Sequence, residues 1–282
     1  MTISISVLGL GMMGRPMARK LLEAGCDVRG WNRSELSPDL TEGIPLCQTV
    51  AEASRSAVCL MMLLDSTAVD GVLEQMEPCL EAGQMVMDMS SSDPTHSTIH
   101  AQRLAAKGIG WIDAPVSGGP EGAAAGTLAI MAGGAASDFE SVGPVLNILG
   151  GNVVHVGGPG MGHVVKIINQ VIVGLTIEAV AEGLTLAEKS GVDPQLVQQA
   201  LKSGFADSKI LQLHGTRMIK RSYVPGGKAT IQLKDLRLGQ ALAETANVRL
   251  PHVESLIRFY EKLIAQKDGA LDHSAIHKLL WT

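Results

Sequence analysis

The 282-residue sequence is short of several things, and each shortage removes a class of function. Its four cysteines, Cys26, Cys47, Cys59 and Cys79, lie far apart with no C-x-x-C pair, so a zinc site has no support. An excess of positive charge is missing too. The 23 Lys and Arg face 28 Asp and Glu for a net charge of −5, which argues against a nucleic-acid partner. No uncharged apolar run reaches the roughly 18–20 residues of a membrane span. The nearest, 167–177, is short and holds Asn169, Gln170 and Thr176. The start, which runs straight into "ISISVLGLG", shows no basic n-region and no cleavage signal, so a cytoplasmic protein is expected. Scattered thiols suit a reducing compartment. Repeats and low-complexity tracts are absent as well. A soluble globular chain of about two domains remains.

What is present is a change of pattern midway. Up to residue 162, short β-branched runs alternate with helical ones: 3–10, 27–32, 57–63, 84–90, 110–116, 127–133 and 152–157 read as strands, and 15–25, 49–55 and 68–80 as helices. Such alternation predicts a parallel sheet with crossover helices, an α/β domain of Rossmann type over 1–162. From 163 the period is helical, over 163–190, 193–204, 234–246, 251–266 and 274–281. The second domain, 163–282, is therefore expected to be all-α, joined by the long helix.

Four stretches carry chemistry. "GLGMMG", Gly9-Leu10-Gly11-Met12-Met13-Gly14, is G-x-G-x-x-G between a strand and a helix. Gly9 permits the turn, Gly11 lets the backbone approach a pyrophosphate, and Gly14 allows close helix–strand packing. At the end of the second strand an NAD site places Asp or Glu. Here Asn32, Arg33 and Ser34 stand instead, and Arg33 is either a clamp for a 2′-phosphate or a solvated surface arginine. In "DAPVSGG", Ser117, Gly118 and Gly119 form either an anion nest for a carboxylate or an ordinary glycine loop. Finally, Lys166 is the only charged side chain between Glu140 and Glu178, histidines aside. It shares a helix face with Asn169, Gln170 and Val173, just past a glycine hinge where a cleft is expected. The bland alternative is a lysine snorkelling to water.

Together these stretches resemble the β-hydroxyacid dehydrogenase family, which includes 3-hydroxyisobutyrate dehydrogenases, tartronate semialdehyde reductases and glyoxylate/succinic semialdehyde reductases. The similarity runs in order along the chain, through "GLGMMGRPMARKL", "MDMSSSDP", "DAPVSGGPEGAAAGTLAIMAGG", "GMGHVVKIINQ" and "LKDLRLGQALAETANVRLP". It implies NADP or NAD as cofactor, and a small carboxylate-bearing hydroxy acid or semialdehyde as substrate. Lys166 becomes the catalytic acid/base, with Ser117, Gly118, Gly119, Asn169 and Gln170 on the substrate. Met62, Leu63, Leu64, Ser91 and Lys234 join the glycine loop and the 32–34 corner around the cofactor. A homodimer or homotetramer is implied, and no metal. Two positions depart from the family: Gln170 stands where a second Asn is usual, and Gly227 where an aromatic ring is common, which opens or loosens the pocket.

The corner "WNR" also resembles imine reductases, which generally lack the lysine and the "DAPVSGG" loop. A non-catalytic NADP-binding protein on the same fold would have lost Lys166 or the nest, and neither is lost. His96 and His100, four apart near Asp93, read as a solvated helix start, since lysine chemistry needs no metal. Ser117 has no triad partner.

Overall fold

β1 (Ser4–Leu8) is buried along its last four positions, as expected of a strand covered on both faces. The computed structural model describes residues 2–281, and everything structural below refers to them. After β1 come α1 (Gly14–Glu23), β2 (Asp27–Trp31), α2 (Pro38–Thr41), α3 (Val50–Ala53), β3 (Val58–Met61) and α4 (Ser66–Met76). Then follow β4 (Met85–Asp88), α5 (Pro94–Ala105), β5 (Gly110–Asp113), β6 (Val116–Ser117), α6 (Gly119–Ala125), β7 (Leu128–Gly134), α7 (Ala136–Leu149) and β8 (Gly150–Gly157). Local chemistry sets several starts: Asp65 caps α4 at Ala68 N, and Asp93 caps α5 at Thr95 N with Pro94 in the first turn.

The sheet order is β2-β1-β3-β4-β5-β7-β6, with β8 beside β7. β2, β1, β3, β4 and β5 are parallel. The uniformly parallel sheet expected from the sequence is corrected beyond that point, because β7 runs antiparallel to β5 and β6. Parallel neighbours need a crossover of a dozen residues or more, and the links around β6 are too short to supply one. Alternate residues serve two cores. Val58 and Leu60 of β3 join the Ile5, Val7 and Met87 cluster, while Cys59 and Met61 face Val86, Leu73 and Trp111.

Contacts divide the chain into units Met1–Lys166 and Ile167–Thr282, so the division falls inside α8 (Met161–Lys189) rather than at 162. The first turn of that helix is bonded to the sheet unit, as described below. The second unit continues with α9 (Pro194–Leu201), α10 (Lys209–Ile219), α11 (Ala229–Thr245), α12 (Pro251–Ala265) and a 3₁₀ helix over His273–Leu280. The last segment, expected as a regular helix, is wound more tightly. It is anchored at Asp272, which accepts from Ser274 N, and its Ser274–His277 stretch is buried. Ile177, Leu184, Leu236, Leu256 and Tyr260 form this unit's core. Gly174 allows the close packing, since a Cβ there would lie 2.8 Å from Gln232 Nε2.

α8 also corrects the reading of hydrophobic runs. An 18-residue window averages a hydropathy of 1.7, long and apolar enough by length and composition to cross a membrane. Its scattered amides and hydroxyls interrupt the run, yet the surrounding aliphatic residues keep the average that high. Asp113 and Ser97 both bond His163 in its first turn.

Asp272 pins the segment that carries Gly227. Its carboxylate accepts from Arg217 Nη1 at 2.8 Å, from Gly226 N at 2.9 Å and from Gly227 N at 3.3 Å. Burial alone would raise its pKa, but bonds from His214, Ser274 and Gly226 and the charge of His273 outweigh that and hold the carboxyl far below the ordinary range. A Cβ on Gly227 would come 3.5 Å from the His273 ring. The segment is pinned rather than loosened, and an imidazole stands beside it.

Candidate active site

The glycine loop has the shape a dinucleotide needs. Gly9 sits at φ +105°, and a Cβ there would be 2.3 Å from Met62 O. One on Gly14 would be 1.9 Å from Gly9 O, so both glycines are obligatory for packing. At Gly11 nothing lies within 4 Å: this is the open side, where backbone can meet a pyrophosphate. α1 has no side-chain cap, which leaves its first N–H groups and the positive end of its dipole for phosphate. Met12 is exposed and Met13 partly buried beside it. The residues present fit a dinucleotide.

The neighbouring loops frame this site. Asn32 Oδ1 accepts from Leu10 N at 3.0 Å, and its amide donates to Ser34 O at 2.8 Å. Asn32 therefore braces the loop from the β2 corner. Arg33 and Ser34 are exposed there, while Asp27 starts β2 at its other end. Met62 N donates to Leu8 O and Leu63 N to Ser90 Oγ, so the turn after β3 is fixed, with Leu64 60 % exposed. Ser91 follows β4 and is partly buried.

Lys166 is brought onto the "DAPVSGG" loop. Its Nζ donates to Val116 O at 2.8 Å, one residue before Ser117, and the side chain is buried. The snorkelling alternative is thereby removed. Gly118 at φ +143° and Gly119 at φ +68° open α6 without a side-chain cap. The lysine ammonium thus meets the loop that carries Ser117, Gly118 and Gly119, within one unit.

Sequence reasoning did not single out the groups beneath Lys166. Asp113 ends β5 and accepts from Gly160 N at 2.7 Å and His163 N at 3.1 Å. His163 is fully buried; its Nδ1 meets Ser97 Oγ at 2.7 Å and its Nε2 meets Ser90 O at 3.1 Å. Asp88 pairs with Asp113 across β4 and β5, and its Oδ2 lies 3.7 Å from His163 Nε2. Burial pushes the Asp113 carboxyl up to about 6, against the pull of His163 and the two N–H groups, with Asp88 adding to the rise. The only available signal was that "MDMS" and "WIDAP" both end a buried strand on Asp.

In the second unit, Asn169 Nδ2 donates to Gln170 Oε1 at 2.9 Å, and Gln170 Nε2 donates to Asp235 Oδ2 at 2.7 Å. Lys234 Nζ pairs with Asp235 Oδ1 at 3.1 Å. Lys234 also borders an open pocket of about 480 Å³ lined by Thr230, Leu233, Arg237, Leu238 and Ile264. The two amides, Asp235 and Lys234 therefore form one polar chain.

His96 and His100 meet Asp70 of α4 rather than Asp93. His100 Nε2 lies 2.8 Å, and His96 Nδ1 2.9 Å, from its carboxylate oxygens. The three offer atoms within 4.8 Å of one another, as a cation would need. Yet buried His100 Nδ1 has no hydrogen-bond partner among the described residues, whereas a ligating imidazole donates from its second nitrogen. Burial lowers the pKa of His100, opposed by Asp70, so both imidazoles read as partners of that carboxylate.

Comparison with known proteins agrees with this geometry. Residues 4–157 match the NAD binding domain of 6-phosphogluconate dehydrogenase, and residues 160–280 match the NAD-binding family of NADP-dependent 3-hydroxyisobutyrate dehydrogenase. The chain is 39% identical over 285 residues to the 2-hydroxy-3-oxopropionate reductase of Escherichia coli K12, covering 99% of this chain and 97% of that one. It is 34% identical over 301 residues to the 3-hydroxyisobutyrate dehydrogenase of Pseudomonas aeruginosa, covering 98% and 97%. A crystal structure of 3-hydroxyisobutyrate dehydrogenase from Salmonella typhimurium superposes with a TM-score of 0.89 at 27% identity, over 98% of this chain and 99% of that one. A nicotinamide dinucleotide is the cofactor, and the chain belongs to the β-hydroxyacid dehydrogenase family as a hydroxyacid dehydrogenase.

Proposed function

We propose that this enzyme reduces a small carboxylate-bearing semialdehyde with NADPH, and in reverse oxidises the β-hydroxy acid, with Lys166 exchanging the proton. The observation that carries this is the Lys166 ammonium held on Val116 O beside Ser117, Gly118 and Gly119. When bound, the nicotinamide supplies or accepts the hydride. The nest and the Ser117 hydroxyl bind the substrate carboxylate, and the amides of Asn169 and Gln170 orient it. As negative charge grows on the carbonyl oxygen, Lys166 stabilises it and gives up a proton from Nζ, forming the alcohol and leaving a neutral amine. In oxidation the neutral amine takes that proton back. The E. coli relative puts 2-hydroxy-3-oxopropionate first among candidate substrates.

The preference for NADP rests on the β2 corner, where exposed Arg33 can fork onto a 2′-phosphate and no carboxylate repels it. A homodimer or homotetramer is supported by exposed Ile168 and Ile172, one turn apart on α8. Four free cysteines suit a cytoplasmic setting.

The test is NADPH consumption against tartronic, succinic and methylmalonic semialdehydes and glyoxylate, with Lys166→Ala run in parallel and each assay repeated with NADH. Turnover that requires Lys166 and favours NADPH is expected. Equal turnover with NADH sinks the cofactor preference, and an active K166A sinks the role of Lys166. Inertness toward every aldehyde, with NADPH still bound, would turn attention to imines.

A further inference from the structure

We propose that Asp113 is a positioning residue for Lys166: from the end of β5 it clamps the start of α8 and, with His163 and Asp88 behind it, fixes the turn that carries the ammonium. This rests on the acid/base reading of Lys166 and adds the device that makes the lysine usable.

The argument starts from helix ends. The first N–H groups of a helix lack internal partners and are normally met by the residue just before it. In α8 two of them, Gly160 N before the helix and His163 N in its first turn, are met instead by the two oxygens of a carboxylate about fifty residues earlier in the chain. Three residues beyond Asp113 and His163 the same two segments meet again, where Lys166 Nζ donates to Val116 O. Residues 113–116 therefore hold 163–166 at both ends, by backbone at one and by ammonium at the other. The room is kept clear for this, since a Cβ on Gly133 or Gly162 would come 2.8 Å from Asp113 Oδ2.

Fold stability alone does not favour the arrangement. Asp88 and Asp113 are both fully buried on adjacent strands in register, and Asp88 Oδ2 has no hydrogen-bond partner among the described residues. Two buried carboxylates side by side raise the energy of the folded state unless something compensates. His163 stands against both, 3.7 Å from Asp88 and 4.0 Å from Asp113, and its ring is held by Ser97 and Ser90 O. Other titratable groups on the surrounding elements are occupied elsewhere: Asp138 of α7 accepts from Trp111 N, His155 of β8 meets Gly134 O, and His100 of α5 meets Asp70.

Protonation of Asp113 converts one accepting oxygen to a hydroxyl and releases part of the clamp. Its carboxyl is raised to about 6, so semialdehyde reduction should have an acid limb there, active above and failing below. Asp113→Asn keeps the shape but presents an NH₂ to one of the two N–H groups. We expect kcat to fall by about ten- to a hundredfold, as a small misplacement of a catalytic group does, with the NADPH KM within about twofold. The acid limb should vanish. Amide hydrogen exchange at 160–166 should quicken about tenfold or more while the α1 amides stay unchanged. A uniform loss of kcat with the acid limb intact and exchange unaltered would overturn the proposal, as would a fully active D113N.

If D113N does not fold, Asp88→Asn serves. Removing the neighbouring carboxylate should move the acid limb to lower pH, and a limb that stays in place or rises is the overturning result. Exchange at Gly160 and His163 decides the clamp without reference to turnover. A failure of Lys166 as acid/base, read from K166A, is thereby distinguished from a failure of Asp113 to position it.

Discussion

Asp113 should make the folded protein less stable at neutral pH than in mild acid. Its carboxyl is raised from 3.8 to about 6 by burial, opposed by His163 and two N–H bonds. Between those values the folded state binds more protons than the unfolded one. Stability therefore falls as pH rises through the interval and levels off above about 6. Two units correspond to about 3 kcal/mol for the whole interval, and about 2 kcal/mol of it lies between about pH 4.5 and pH 7.5. Other groups titrate in the same range, so the measurement is a difference: thermal unfolding of wild type and D113N at both pH values. At the acidic end the gap, wild type minus D113N, should lie within about 1 kcal/mol of zero, because the protonated carboxyl, like Asn, keeps only one freely accepting oxygen. At the upper end that gap should fall by about 2 kcal/mol, several degrees in Tm. A gap that is constant or rises with pH would refute the reasoning, for it would mean that Asp113 ionises in the fold as easily as in the unfolded chain.

Four further outcomes are expected. Gly11→Ala meets open space and should leave Tm unchanged while weakening dinucleotide binding by about tenfold in a fluorescence titration, whereas Gly9→Ala, at φ +105° and 2.3 Å from Met62 O, should destabilise by about 2 kcal/mol or more. Arg33→Ser should raise the NADPH KM by about tenfold or more and leave NADH untouched; an equal effect on both would make Arg33 a mere surface charge. Asp272→Ala strands Arg217 and several donors and should lose about 3–5 kcal/mol in denaturant unfolding, so a loss under about 1 would contradict the pinning of the 226–227 segment. Ile172→Lys should shift the protein toward monomer in sedimentation velocity, and an unchanged sedimentation coefficient would locate the interface elsewhere.

Much of the fold was legible because its signals are local. Gly9 and Gly14 stand where backbone must pass backbone, and the helical period from 163 onward survives in α8, α11 and α12. What escaped lacked a local signature. α7 carries a stripe of Val142, Val145, Leu146 and Leu149 but is interrupted by Pro144, α6 is mostly Gly and Ala, and α10 follows the Ser208 cap at Leu211 N with a run broken by His214 and Gly215. The antiparallel β7 follows from link length rather than from composition. Asn32 Oδ1 accepts from Leu10 N, a pairing across 22 residues that no periodicity reveals. Gly227 looked like a missing ring, and only the structure places His273 beside it.

The site shows the same division between what is local and what is distant. Lys166 stood out through the absence of charge around it, and "DAPVSGG" through its glycines. Their joining at Val116 O spans fifty positions, as does the Asp113 bond to His163 N. A lysine in an apolar run is ambiguous by itself, because snorkelling and catalysis predict the same sequence. Snorkelling is excluded by the groups that hold it: a carbonyl for the ammonium, a carboxylate for the helix start, and an imidazole between two acids. A lysine merely tolerated at a helix end needs none of these. Their presence, in a fold that buries the Asp113 charge, supports the proton-transferring role proposed for Lys166.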